Sequence, residues 1–150
     1  ALKLSKPEID KLERSAYLHD IGKITIDKEI LSKKELSEEE KEKMYQHPVV
    51  GYRILNLFDE TLDLAEYIYN HHERWDGLGY PRGVAKDEIP FISRIIAVVE
   101  TYDRIVYGYS AIRDKDSKIN KERAISIIEE GSGKQFDPKI VKVFLEIMLK

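Results

Sequence analysis

Between Phe91 and Val106 the chain places Ile92, Ile95, Ile96, Val99 and Val106 at helical intervals, with Asp103 on the same stripe. A strand cannot present that pattern on one face, because its successive side chains point to opposite sides. The spacing predicts a central helix against which the rest of the chain must pack. Glu100 interrupts the apolar stripe, and a buried carboxylate needs a metal ion, a histidine or a basic side chain beside it.

Helix-start signals punctuate the remaining sequence. Ser5-Lys6-Pro7-Glu8 joins a capping serine, an early proline and a glutamate three residues on, and Ser37-Glu38-Glu39-Glu40 repeats the capping box. The first helix carries Ile9, Leu12 and Ala16 on one stripe with His19, which predicts an inward-pointing His19 and an end near Gly22. Residues 24–32 read as an irregular connection. A short helix then runs to about Gln46. Pro48 opens the next, with His47 at its entry and Gly51, Ile54, Leu55 and Phe58 along it. A further helix is expected from Leu62 to His72, ending in two adjacent histidines. Three glycines and two prolines between residues 76 and 90 rule out regular structure there. Asn120 is read as the cap of a helix to about Glu130, and Asp137-Pro138 as the start of the last one. The expected architecture is all-α, a compact helical bundle in one domain over residues 1–150, with a polar turn at Asp114–Lys118.

Charge and cysteine content narrow the chemistry. With 25 basic and 28 acidic residues the net charge is −3, which offers no general attraction for a nucleic acid polymer. The sequence contains no cysteine, so disulfides and thiolate-bound metals are excluded. Neither a secretion signal nor a membrane-spanning run is visible, and a cytoplasmic location is the expectation. A phosphate-bearing ligand would have to be attracted locally, by metal ions or by a few placed cations.

All four histidines stand beside another suggestive feature: His19-Asp20, His47-Pro48 and the pair His71-His72. Imidazole and carboxylate donors together suit iron, manganese, zinc or nickel. Adjacent helical residues project about 100° apart, so the members of each pair need not address one ion. Lys23, one short turn beyond Asp20, is the candidate cation for a phosphoryl oxygen. Taken singly, each feature also has a structural explanation. A histidine can sit satisfied in a core, Glu100 can pair with Arg94 or Arg104, and Lys23 can be a solvated surface group.

Taken in order, the motifs resemble those of the HD-GYP family, a branch of the HD superfamily. They are His19-Asp20-Ile21-Gly22-Lys23, His47-Pro48-Val49-Val50-Gly51, the run His71-His72-Glu73-Arg74-Trp75-Asp76-Gly77-Leu78-Gly79-Tyr80-Pro81, Ile89-Pro90, and the late Gln135-Phe136-Asp137-Pro138. The resemblance implies a helical domain that hydrolyses cyclic di-GMP to pGpG or GMP through metal-activated hydroxide, with two or three divalent ions, iron or manganese. It implies metal ligation by His19, Asp20, His47, His71 and His72, with Glu100 where the family usually has aspartate. Asp20 and Lys23 take the catalytic roles, Lys23 also binding the substrate phosphate. Gly79, Tyr80 and Pro81 form a loop expected to shape the pocket or to receive regulatory or diguanylate cyclase domains, not to donate ligands.

Three departures from the family pattern accompany it. The upstream ligand helix is absent from these residues, Glu100 is one methylene longer than aspartate, and the basic segment after Tyr102-Asp103 is replaced, with Tyr109 and Arg113 as loose substitutes. Two other readings stay open at this point: a catalytically silent module for partner binding or nucleotide sensing, and another HD-type nucleotide phosphohydrolase.

Overall fold

The computed structural model describes residues 2–33, 35–108 and 117–149. Among them are eight helices: α1 (Lys6–Leu18), α2 (Lys28–Ser32), α3 (Glu38–Tyr45), α4 (His47–Leu55), α5 (Leu62–Tyr69), α6 (Phe91–Val106), α7 (Ser117–Glu130) and α8 (Pro138–Met148). There is no strand among the described residues beyond an isolated bridge between Ser132 and Phe136. Nor is any described helix long and apolar enough to cross a membrane.

The expected caps are formed. Ser5 and Glu8 close a capping box on α1, Ser37 and Glu40 close another on α3, and Asp137 accepts from the Lys139 amide at the start of α8. Helix α6 runs through the centre. Its Ile95 and Val98 pack with Ile128 of α7, Phe136, and Ile140 and Val141 of α8. On the other side, α4 and α5 bury Leu55, Leu64, Ala65 and Ile68. Each such side chain taken from water contributes on the order of 2 kcal/mol, so these two clusters hold the bundle from both ends.

Several expectations need correction. Helix α1 buries Ser15, while Ile9 is 43% exposed and Ala16 is exposed; of the Ile9-Leu12-Ala16-His19 stripe, Leu12 packs against the core, and Leu12, Ala16 and His19 also border an open cleft. On α6, Val98, Thr101 and Ile105 turn inward, whereas Val99 is 52% exposed and Asp103 faces outward. Residues 24–32 are not irregular: a 3₁₀ turn spans Ile21–Thr25 and α2 follows, while α1 stops four residues before Gly22. The 76–90 loop contains a 3₁₀ turn at Lys86–Glu88. Asn120 does not cap α7, which begins at Ser117; it lies buried within the helix. The turn at Asp114–Lys118 falls largely outside the described residues, as do Tyr109 and Arg113.

Of the described glycines, Gly22 allows the closest approach of main chain. A Cβ there would lie 2.0 Å from the His47 carbonyl oxygen and 2.7 Å from the Gly51 nitrogen, both backbone atoms that cannot swing aside. The turn after α1 thus lies directly against the first turn of α4. Gly22→Ala is expected to cost about 1–3 kcal/mol or more through overpacking, read as a lower urea midpoint with an unchanged slope. An unchanged midpoint would show that the two segments are free to separate.

Candidate metal centre

Each histidine owes its direction to a helix end. His19 follows α1, His47 opens α4, and His71 and His72 stand just past α5. Helix α5 ends at Tyr69, not at His72, because Asn70 leaves helical geometry and its side-chain amide donates to the Glu66 carbonyl. Consequently His71 and His72 lie in a turn, and the 100° separation of adjacent helical residues does not apply to them.

Three of the four rings are fixed in one tautomer. His19 Nδ1 lies 2.7 Å from the Ala16 carbonyl, His47 Nδ1 2.6 Å from that of Met44, and His71 Nδ1 2.5 Å from that of Ile68. A carbonyl oxygen only accepts, so each Nδ1 carries the proton and donates it. In the neutral ring each Nε2 is then left with a bare lone pair.

Those lone pairs converge. His47 Nε2 lies 3.3 Å from His71 Nε2, 3.1 Å from His72 Nε2 and 3.3 Å from Asp20 Oδ1. One donor atom from each of Asp20, His47, His71 and His72 falls within 4.8 Å of every other. His19 and Glu100 flank this group: His19 Nε2 is 3.5 Å from Asp20 Oδ2, and Glu100 Oε2 is 3.9 Å from His72 Nδ1. The basic partners considered for Glu100 lie elsewhere in one case, since Arg94 pairs with Asp87 and Asp137. Asp20 divides its oxygens: Oδ2 accepts from Lys23 Nζ at 2.6 Å, while the buried Oδ1 has no hydrogen-bond partner.

This donor set fits a divalent cation. Two unprotonated nitrogens about 3 Å apart repel each other unless a positive charge lies between them. Neighbouring ligands on one ion, each about 2.1 Å from it, stand about 3.0 Å apart in octahedral and about 3.4 Å apart in tetrahedral geometry. The orphaned Asp20 Oδ1 supplies the anionic donor that three neutral imidazoles lack.

Burial keeps the donors in the required state. It pushes His71 down to about 3 and lowers His47 and His72 as well, with neighbouring imidazoles adding to the depression of His72. Asp20 is raised by burial, but the Lys23 hydrogen bond and charge outweigh that and hold its carboxyl below the ordinary range. Glu100 moves the other way, its carboxyl raised chiefly by desolvation.

The loop after His72 folds back over it. The Tyr80 ring stacks on His72 at 4.9 Å and meets Tyr45 at 4.5 Å, and the Tyr80 amide donates to the His72 carbonyl. Gly79 lies so close to the chain at Glu73 and Arg74 that a Cβ would meet backbone at 2.4–2.7 Å. Glu73 closes the loop: buried at 3% exposure, its Oε1 accepts from the Arg82 and Gly83 amides at 2.6 and 3.1 Å. Sequence reasoning gave Glu73 and Tyr45 no role. The position of Glu73 directly after two histidines and before a glycine-rich stretch was the available signal, since loop amides need an acceptor.

Two cavities adjoin the centre. An apolar cleft of about 580 Å³ between α1 and α6 is lined by Leu12, Ala16, His19, Lys23, Val99 and Glu100 among others. A smaller pocket of about 340 Å³, bordered by His72, Glu73, Tyr80, Thr101 and Gln135, lies on the far side of Glu100.

A sequence model described as an HD domain matches residues 1–140. The chain is 41% identical over 147 residues to a protein of Thermotoga maritima named cyclic di-GMP phosphodiesterase, covering 96% of this chain and 39% of that protein. It is 34% identical to a protein of the same name from Vibrio cholerae, covering 96% of this chain and 30% of the relative. A Vibrio cholerae protein named 3'3'-cGAMP-specific phosphodiesterase 2 is 33% identical over 95% of this chain and 27% of its own length. The chain therefore spans well under half of the curated relatives it matches. The crystal structure of a cyclic GMP-AMP specific phosphodiesterase from V. cholerae superposes with a TM-score of 0.74 at 22% identity, over 99% of this chain and 40% of that one, which shows a shared fold.

Two outcomes are expected. In the metal-free protein the folded-state pKa of His71 lies below its unfolded value near 6.5, so the unfolded chain binds protons more readily and stability falls as pH drops through that value towards about 3. His47 and His72 act in the same direction. Moving from about pH 7 to about pH 5 should cost on the order of 2 kcal/mol through His71 in urea melts, with His47 and His72 adding to the loss, and coincident melts would mean that the rings titrate normally. Glu73→Ala should loosen the loop over His72 and weaken Mn²⁺ binding by about 10- to 100-fold in a calorimetric titration, whereas an unaltered affinity would separate the loop from the donors.

Proposed function

Because the chain belongs to the HD-domain family, in its HD-GYP branch, we propose that it is a metal-dependent phosphodiesterase that hydrolyses cyclic di-GMP. The observation that carries this reading is the meeting of bare imidazole Nε2 atoms with the unpartnered Asp20 Oδ1 at the end of an open cleft. The names of the relatives supply the substrate class.

His47, His71, His72 and Asp20 would hold the first divalent ion. A second position is supported by Asp20 Oδ2, His19 and Glu100, which flank that group. Iron or manganese suits imidazole and carboxylate donors without thiolate. Bound there, divalent ions supply Lewis-acid charge for phosphoryl oxygens and lower the pKa of water. The chain's own groups do the remainder. Asp20 orients Lys23 through the 2.6 Å contact, keeping Nζ beside the donor cluster where it can hold a non-bridging phosphoryl oxygen. Tyr80 packs on His72 and helps to shield it from solvent. The carbonyls of Met44 and Ile68 keep the protons of His47 and His71 on Nδ1, so that the bare Nε2 atoms face the other donors.

The loop carrying Gly79, Tyr80 and Pro81 also suits contact with a regulatory domain, because its neighbouring Leu78 is 78% exposed. A silent partner-binding module would not require three imidazoles kept neutral around one carboxylate, which speaks against that alternative.

The test combines elemental analysis with turnover of cyclic di-GMP in the presence of Mn²⁺ or Fe²⁺ under reducing conditions. The native chain is expected to retain two or more ions and to form pGpG. Asp20→Ala should reduce bound metal and slow hydrolysis by at least about 100-fold while the domain stays folded, as its circular dichroism would show. Undiminished turnover in that variant would sink the assignment.

A further inference from the structure

The cleft beside the donor cluster is short of positive charge. Glu13, Asp20, Glu100 and Asp103 line it, against Lys23 and Arg104. A cyclic dinucleotide carries two phosphodiesters and thus two negative charges, one of which remains while the other reacts. Lys23 is already engaged by Asp20. Arg104 is exposed and makes no ion pair with any described residue.

Its position is specific. Arg104 lies on α6 one helical turn beyond Glu100, a rise of about 6 Å. Glu100 and Arg104 line both cavities and so form the wall between the apolar cleft and the polar pocket beneath Tyr80. The guanidinium is near enough for its charge to act on His72, Tyr80 and Glu100. A molecule with one phosphodiester at the donor cluster and a second further along α6 would bring the second to this side chain. A planar guanidinium binds phosphate oxygens in pairs, which an ammonium cannot do.

We propose that Arg104 binds the phosphodiester that is not being cut, and thereby selects substrates that carry two. This rests on the phosphodiesterase reading above. Arg104 acts through substrate binding, so its loss appears in KM more than in kcat.

The experiment uses the whole chain loaded with Mn²⁺ and compares cyclic di-GMP with bis(p-nitrophenyl) phosphate, which has a single phosphodiester. Arg104→Gln should raise KM for cyclic di-GMP by at least about tenfold, the worth of one charge-assisted hydrogen bond, with a smaller change in kcat. Its loss of kcat/KM should be several times greater on cyclic di-GMP than on bis(p-nitrophenyl) phosphate, and Arg104→Lys should recover part of it. Equal losses on both substrates, a loss confined to kcat, or no loss on either would overturn the assignment. A native chain that cleaves bis(p-nitrophenyl) phosphate but neither binds nor cleaves cyclic di-GMP would instead overturn the cyclic-dinucleotide reading, and this proposal with it.

Discussion

The bare Nε2 atoms of His47 and His71 facing each other across 3.3 Å are a repulsive contact, and most of the local architecture serves to hold that contact in place. Each Nδ1 proton is consumed by a carbonyl three residues earlier, which is available because the ring stands at a helix boundary. Helix ends leave backbone groups without intrahelical partners, and here side chains of the site take up that capacity. Desolvation then prevents relief by protonation, since a buried imidazolium would be costlier than the repulsion. A divalent cation turns the same arrangement from unfavourable to favourable. Stability and metal affinity are therefore linked through one set of atoms.

The second support is the ion pair between Arg94 and Asp137. Asp137 is fully enclosed, Arg94 is largely so, and they meet at 2.8 Å while Asp137 also caps α8. The Arg94 guanidinium lies over the rings of Trp75 and Phe91 at 5.6 and 5.2 Å. Trp75 belongs to the loop that follows His72, and its amide donates to the Gln135 carbonyl. One buried cation thus joins α6, α8 and the loop covering the centre. Removing Arg94 would strand the Asp137 carboxylate in the interior, a loss of about 3–5 kcal/mol.

Much of this was legible in the sequence, for identifiable reasons. Capping boxes at Ser5 and Ser37 and the Asp137-Pro138 start depend on short-range chemistry, and the helices begin where those residues say. The convergence of Asp20, His47, His71 and His72 was suggested by motif order, and no local rule could have produced it. Elsewhere tertiary packing prevailed over pattern. Ser15 is buried and Ala16 exposed because the Leu12-Ala16-His19 face borders a cleft, so that the apolar periodicity marked a cavity wall as well as, at Leu12, an edge of the core. The end of α5 at Tyr69 reflects one side-chain bond from Asn70, too local for a periodicity argument to detect. Glu73 went unread because its partners are loop amides nine and ten residues away.

The glycine at position 22 brings main chain against main chain, with only hydrogen where any other residue would place carbon. Side chains adjust by changing rotamer, but a backbone contact offers no such freedom. Asp20 and His47 are consequently tied at a junction without torsional slack, two residues from one member and at the carbonyl of the other. The separation between carboxylate and imidazole is set by the stiffness of the peptide framework, and repacking of the apolar core behind it has little leverage on that distance.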